Sequence, residues 1–317
     1  MTMKKILVTD HGFPNVDAER RCAEQAGYTL EVAQCKTAED VIRAAKDAEA
    51  LLVQWAPITA DVIGSLEKCR VIVRYGIGVD NVDLKAAKAR GIAVCNVPDY
   101  GVDEVADHAV SLALALGRQL IQIDRRTREG VWKISPSAPM PAYSAMTYAV
   151  LGMGRIGRAV LKRASGFGFK LAAHDQFAKP ADFAQAGATS LSLDELFREA
   201  DILSLHAPFN ESTRHIVSRE RLAQMKKGAV IVNTARGGLI DTAALAQALD
   251  EGKLGGAGLD VYEVEPLPND HPIRKCPNTI LTSHVAWYSE SSIPKLQKLA
   301  GEEAVRGVLG QPLRSPV

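Results

Sequence analysis

The stretch YAVLGMGRIGRAV, residues 148–160, decides the fold. An apolar run breaks at Gly152, glycines recur at 154 and 157, and apolar residues then return at helical spacing. G-x-G-x-x-G between a strand and a helix predicts a dinucleotide cradle. Gly152 permits the tight turn, Gly154 lets backbone approach a pyrophosphate, and Gly157 lets the helix pack closely on the strand. The anion would sit at the helix N-terminus, where free N–H groups and the macrodipole favour negative charge. The next apolar run, FKLAAHD, ends in Asp175, close to the spacing of ~20 residues expected of the acid that takes the ribose hydroxyls. A carboxylate there repels a 2′-phosphate, and the following QFAK offers no arginine, so NAD is expected over NADP.

Outward from this loop, apolar runs and amphipathic stretches alternate in both directions. Upstream lie KKILVTD, TLEVAQC, ALLVQW, RVIVRYG and IAVCNVP; downstream lie ADILSLHAP, GAVIVNTA, GAGLDVY and NTILTSHVA. The runs are near-continuous in Val, Ile and Leu, which suits parallel strands covered on both faces by helices. Two α/β layers are predicted, joined by DEVADHAVSLALALGRQLIQI, a helix apolar nearly all round from Ala109 to Leu116 and so buried on several sides, between domains or against a second subunit. A Pro- and Ser-rich loop, KISPSAPMPAYSA, follows it, and SSIPKLQKLAGEEAVRGVLG closes the chain as one amphipathic helix. Whether that helix stays with the second layer or returns to the first is left open by the pattern.

At 317 residues and 47% hydrophobic content the chain can bury two cores. Lys plus Arg number 38 against 37 for Asp plus Glu, so no net field selects nucleic acid or an anionic membrane. The opening MTMKKILVTD has too short an apolar run for a signal peptide or a bilayer span, and a cytoplasmic protein is expected. Five cysteines without a C-x-x-C pair read as small apolar residues in a reducing compartment, and seven histidines without H-E-x-x-H predict no metal site.

An open doubly wound sheet binds ligands at the carboxyl ends of its strands. His174, His206 and His284 lie near such ends. His174 adjoins Asp175, at the ribose end, so His206 and His284 remain candidates for proton transfer. A neighbouring carboxylate suits a histidine to that task; Glu263 or Glu265 in DVYEVEPLP is available to His284, whereas Glu211 is the only acid in the His206 loop. A guanidinium to grip a substrate carboxylate comes from a third strand end, as Arg236 in IVNTARGG.

In order along the chain, YGIGVDNVDL, GIAVCNVPDYGVDEVADHA, LGMGRIG, LHAPFNEST, NTARGGLID, GLDVYEVEPLP and SHVAWYSE resemble the D-2-hydroxyacid dehydrogenases end to end. The resemblance implies a Rossmann doubly wound parallel-sheet NAD domain over 102–287 and a smaller flavodoxin-like α/β substrate domain made of 1–101 and 288–317, with hinges near Tyr100–Gly101 and Ala286–Tyr288. It implies that Arg236 binds the substrate carboxylate and carbonyl, with the amides of Ile77 and Gly78 as further donors. It also implies that Glu265 pairs with His284 and favours its protonated form, and that His284 transfers the proton. The implied cofactor set is Gly152, Gly154, Arg155, Ile156, Gly157, Asp175, His206, Pro208, Thr213, Thr234, Ala235, Asp260, His284 and Ala286, with Asp260 on the nicotinamide carboxamide. A homodimer built around the helix after Asp103 is implied as well.

Within the family, HVAWYSE is most similar to the C-terminal binding protein branch, beside the phosphoglycerate dehydrogenases. There a tryptophan at the position of Trp287 reaches the substrate pocket, although plain packing is an equal reading of Trp287. Ser283 stands where the family usually has Pro, and AYSAMTYAV lacks the basic residue that commonly precedes the first strand. The expected activity is NAD-dependent interconversion of a D-2-hydroxy acid and its 2-oxo acid. The alternative is an NAD(H)-sensing binding protein with vestigial catalysis.

Overall fold

Short runs of Val, Ile, Leu and Ala form the strands of two parallel sheets, each in its own unit of the chain. The computed structural model describes residues 4–133 and 139–317. Residues 134–138, in the Pro- and Ser-rich loop, lie outside the described residues. One unit carries the chain up to Gly101 together with Tyr288–Val317; the other is Val102–Trp287.

The first unit alternates β1 (Lys5–Val8), α1 (Asp17–Gln25), β2 (Thr29–Val32), α2 (Ala38–Ala45), β3 (Ala50–Val53), α3 (Ala60–Ser65), β4 (Val71–Arg74), α4 (Leu84–Ala89) and β5 (Ala93–Cys95). Its sheet order, β2-β1-β3-β4-β5, is the flavodoxin-like one, parallel throughout. KILV and ALLV are buried at every position because the sheet is covered on both faces. The closing helix, Ser292–Val308, belongs to this unit and lies close on α1: a Cβ on Gly301 would sit 3.1 Å from Glu19 Cα. The last residue, Val317, donates its amide to the Val94 carbonyl.

The second unit opens with α5 (Val102–Gly117) and α6 (Leu120–Arg128). It continues through β6 (Thr147–Leu151), α7 (Arg155–Ser165), β7 (Lys170–His174), α8 (Pro180–Ala186), β8 (Thr189–Ser190), α9 (Leu193–Glu199), β9 (Ile202–Leu205), α10 (Arg219–Gln224), β10 (Ala229–Asn233), α11 (Thr242–Asp250), β11 (Leu254–Leu259) and β12 (Thr279–Leu281). The order β12-β11-β10-β9-β6-β7-β8 is parallel throughout. From β6 the chain winds out to β8, then crosses back to β9 and winds the other way to β12. The reversal lies between β6 and β9, where an open sheet leaves its ligand crevice. One core packs Leu203, Ile231, Leu245 and Leu259; the opposite face packs Val110, Tyr148, Leu161 and Val232.

Two predicted elements differ in extent. The single helix expected over 103–123 breaks at Gly117–Gln119, where Gln119 turns left-handed at φ 52°. Gly117 favours the end of a helix, and the Tyr143 hydroxyl donates to the Leu114 carbonyl just before the break. The apolar face of α5 lies on the sheet over Gly256 and Gly258, where a Cβ on Gly258 would stand 2.9 Å from Leu112 Cβ. Strand β11 begins at Leu254, earlier than GAGLDVY suggests. A Cβ on Gly255 would stand 2.3 Å from the Gly228 oxygen, so close backbone approach is why glycine is there. Among the described residues no helix is long and apolar enough to cross a membrane.

Candidate active site

The carboxyl ends of β6, β7, β9, β10, β11 and β12 share one edge of the second sheet, and the predicted residues of this unit follow those strand ends. Strand β6 runs into Gly152 at φ 97°, a left-handed geometry that glycine adopts without steric cost. A Cβ on Gly152 would come within 2.8 Å of His206 and Ala207 backbone, and one on Gly157 within 2.0 Å of the Gly152 oxygen. These two glycines are needed by the protein's own packing. At Gly154, by contrast, a Cβ would meet no described atom within 4 Å, and no side chain caps the N-terminus of α7 there. The loop therefore presents bare backbone N–H groups, with Arg155 and Ile156 as the first helical residues, to whatever anion approaches. Asp175 follows β7 and accepts the Met153 amide at 2.7 Å and the Phe177 amide at 2.8 Å, so a carboxylate stands beside the loop.

Across the switch point, His206 follows β9 and shares a 2.8 Å hydrogen bond with Ser204 Oγ. Burial pushes its pKa down to about 3. A histidine held neutral in this way cannot serve as an acid near neutrality. Glu211, the acid considered for it, is replaced as partner by a hydroxyl. In the same loop Thr213 Oγ1 donates to the Pro208 carbonyl at 2.7 Å and closes the turn. Thr234, after β10, is buried with its hydroxyl oxygen unpartnered among the described residues. An orphaned hydroxyl and an open glycine face both fit a polar cofactor lying across this edge.

The three remaining candidates come from the ends of β10, β11 and β12. Asn233 brackets the Arg236 turn, its Nδ2 donating to the Arg236 carbonyl and its Oδ1 accepting the Ala235 amide. Gly237 then lies directly on the next loop, where a Cβ would be 1.9 Å from the Tyr262 carbonyl carbon. That loop carries Glu265, whose Oε1 accepts the Tyr262 amide while Oε2 stands 2.7 Å from His284 Nδ1. Burial raises the Glu265 pKa, but the His284 hydrogen bond and charge, the Tyr262 amide and the nearby Arg236 guanidinium outweigh it and hold the carboxyl below its usual range. Of the two acids open to His284, Glu265 makes the contact; Glu263 pairs with His215 instead.

His284 adopts φ 55°, uncommon for a residue with a side chain. The turn is held by buried Asp260, which receives the Thr282 hydroxyl and the amides of Val285 and Ala286 while its carbonyl takes the His284 amide. Trp287 Nε1–H donates to the His284 carbonyl at 2.8 Å. Both Nδ1 and the main chain of His284 are thus fixed, and Nε2 is the ring atom left for exchange with a ligand. A carboxylate-backed imidazole beside a guanidinium can pass a proton to an oxygen whose developing charge the cation stabilises. Ile77 and Gly78 follow β4 in the first unit, and their assignment rests on the resemblance.

Two supports escaped the sequence reading. Asn233 precedes a turn, where Asn side chains commonly bond nearby backbone, and that signal was present in VNTARGG. The Asp260 clamp had no local signal, because its partners lie more than twenty residues away.

Residues 110–286 match the family described as D-isomer specific 2-hydroxyacid dehydrogenase, NAD binding domain. The chain is 38% identical to a glyoxylate reductase of Korarchaeum cryptofilum, over 84% of this chain and 81% of that one. It is 41% identical to a D-3-phosphoglycerate dehydrogenase of Methanocaldococcus jannaschii, over 94% of this chain but 56% of the relative. The chain thus spans about half the length of the phosphoglycerate dehydrogenases it matches. The structure superposes on a D-lactate dehydrogenase of Aquifex aeolicus complexed with NAD and lactic acid, with TM-score 0.88, 28% identity and 96% coverage of both chains.

Proposed function

Because the chain belongs to the D-isomer specific 2-hydroxyacid dehydrogenase family, we propose that it interconverts a short D-2-hydroxy acid and its 2-oxo acid, with His284 as the acid and base. The observation that carries this reading is the 2.7 Å contact between His284 Nδ1 and Glu265 Oε2 under the charge of Arg236. Bound NAD(H) supplies or accepts the hydride exchanged at C2 of the substrate. Gly152, Gly154, Arg155, Ile156 and Gly157 would hold its pyrophosphate and Asp175 its ribose. His206, Pro208, Thr213, Thr234, Ala235, Asp260 and Ala286 would line the rest.

In the reducing direction, Glu265 keeps the His284 ring oriented and compensates its positive charge. His284 Nε2 gives its proton to the oxygen on C2 as negative charge develops there. Arg236 holds the substrate carboxylate with its planar fork and stabilises that oxygen. In oxidation the neutral imidazole takes the proton back.

The homodimer belongs to this reading too. Support for it comes from α6, which exposes Leu120, Ile121 and Ile123, and from Trp132, which is 89% exposed, an apolar surface suited to a second copy. A cytoplasmic site is in keeping with five free cysteines.

The test is NADH oxidation with a panel of glyoxylate, hydroxypyruvate, pyruvate and 4-methylthio-2-oxobutyrate. Turnover with at least one, abolished by His284→Gln, is the expected result. NADH binding with no turnover on any of them would favour a cofactor-sensing protein of the C-terminal binding protein type, although such a sensor has no need of the complete Arg, Glu and His set.

A further inference from the structure

A second imidazole–carboxylate pair stands beside the first. Glu263 Oε1 lies 2.6 Å from His215 Nε2, and Glu263 Oε2 accepts the Thr242 amide at 3.1 Å. Thr242 opens α11, so this carboxylate also meets a helix N-terminus, where negative charge is favoured. Burial raises the Glu263 pKa, but hydrogen bonds from His215 and Thr242 outweigh it and keep the carboxyl below its usual range. His215 is itself left-handed, at φ 48°, and its amide donates to the Gly238 carbonyl at 2.8 Å. The close approach of Gly237 completes the arrangement, since a Cβ there would be 2.4 Å from the Glu263 nitrogen. The turn after Arg236 therefore lies on the backbone that leads to Glu265.

We propose that Glu263 and His215 are positioning residues, a polar clamp that fixes the Arg236 turn and the Glu265 loop to each other and ties both to the loop after β9. The proposal rests on the reading of Arg236, Glu265 and His284 as the reacting set. Both side chains are partly exposed, 36% for His215 and 33% for Glu263. Exposed pairs contribute little to global stability, so the clamp acts on geometry. Reacting groups displaced by about 1 Å lose on the order of 10²-fold in rate.

The experiment compares wild type, Glu263→Ala, Glu263→Gln and His215→Ala in kcat, in KM for the 2-oxo acid, in Tm, and in amide hydrogen exchange over residues 235–242 and 262–266. Glu263→Ala and His215→Ala are expected to lower kcat/KM by about 10- to 100-fold. Exchange should quicken in those two segments while Tm and exchange in the sheet stay as in wild type. Glu263→Gln keeps the shape and a polar group for each neighbour, and should recover most of the loss. Unchanged kinetics and exchange in Glu263→Ala would overturn the clamp. So would a fall in Tm with faster exchange throughout the unit, or a Gln variant as impaired as the Ala variant. If wild type turns over none of the 2-oxo acids, the proposed function fails by itself. The exchange measurement then still decides the clamp: faster exchange confined to the two segments supports it, and unchanged exchange overturns it.

Discussion

His284 meets Glu265 across 2.7 Å, and the histidine that makes this contact is held at φ 55° by hydrogen bonds to Asp260. A conformation of this kind costs on the order of 1–3 kcal/mol and persists only where surroundings impose it. Here the buried carboxylate of Asp260 receives two amides and a hydroxyl from the same turn, which aims the ring at Glu265.

Replacing His284 by Gln removes the transferable proton while keeping a polar side chain of similar reach. The expected result is a fall in kcat of roughly 10²- to 10⁴-fold, with NADH affinity by fluorescence titration close to wild type. Near-normal turnover would remove His284 from its role.

Arg236→Lys exchanges a planar fork for a point charge. Steady-state kinetics should then show a drop in kcat/KM of at least about 10-fold, carried largely by KM for the 2-oxo acid. An unchanged kcat/KM would mean that another group holds the substrate carboxylate.

The glycine loop separates binding from folding. Gly154→Ala adds a methyl group that meets no described atom within 4 Å, so Tm should hold while NADH affinity falls. Gly157→Ala forces a methyl to 2.0 Å from the Gly152 oxygen, so Tm itself should fall. Equal effects of both on Tm would contradict the cradle.

Asp175→Ala should narrow the preference for NAD over NADP, because the carboxylate that repels a 2′-phosphate is gone. The measurement is kcat/KM for NADH and NADPH in both proteins, and a constant ratio would place discrimination elsewhere.

His206 stays neutral in the folded protein, with its pKa near 3 against an ordinary 6.5, because burial disfavours its charged form. The unfolded chain takes up a proton at this histidine as pH falls below about 6.5 and the folded chain does not, so stability is lost across that window. His206→Asn should flatten the decline of Tm between about pH 6.5 and 5, above the range where depressed carboxyls such as Glu265 titrate. An identical decline in both proteins would show that His206 does not govern it.

Much of this was legible in the residues. The glycine loop could be read because its demands are local: one positive φ, one close backbone approach and one open face within six positions. Parallel strands were legible because burial on both faces leaves continuous apolar runs such as AVIVN and ILSL. The break after Gly117 was less so, since apolar periodicity continues through it.

The amino-acid sequence by itself determined the two α/β layers, the cradle and the residue types offered at each strand end, because steric and hydrophobic patterns act over a few residues. Only the tertiary structure decided that Glu265 meets His284 while Glu263 turns to His215, that His206 is too buried to carry a proton, and that Asp260 holds the His284 turn. Those pairings join loops from different strands. They depend on sheet register and on the depth of burial, which take definite values only when the cores on either side of the sheet have packed.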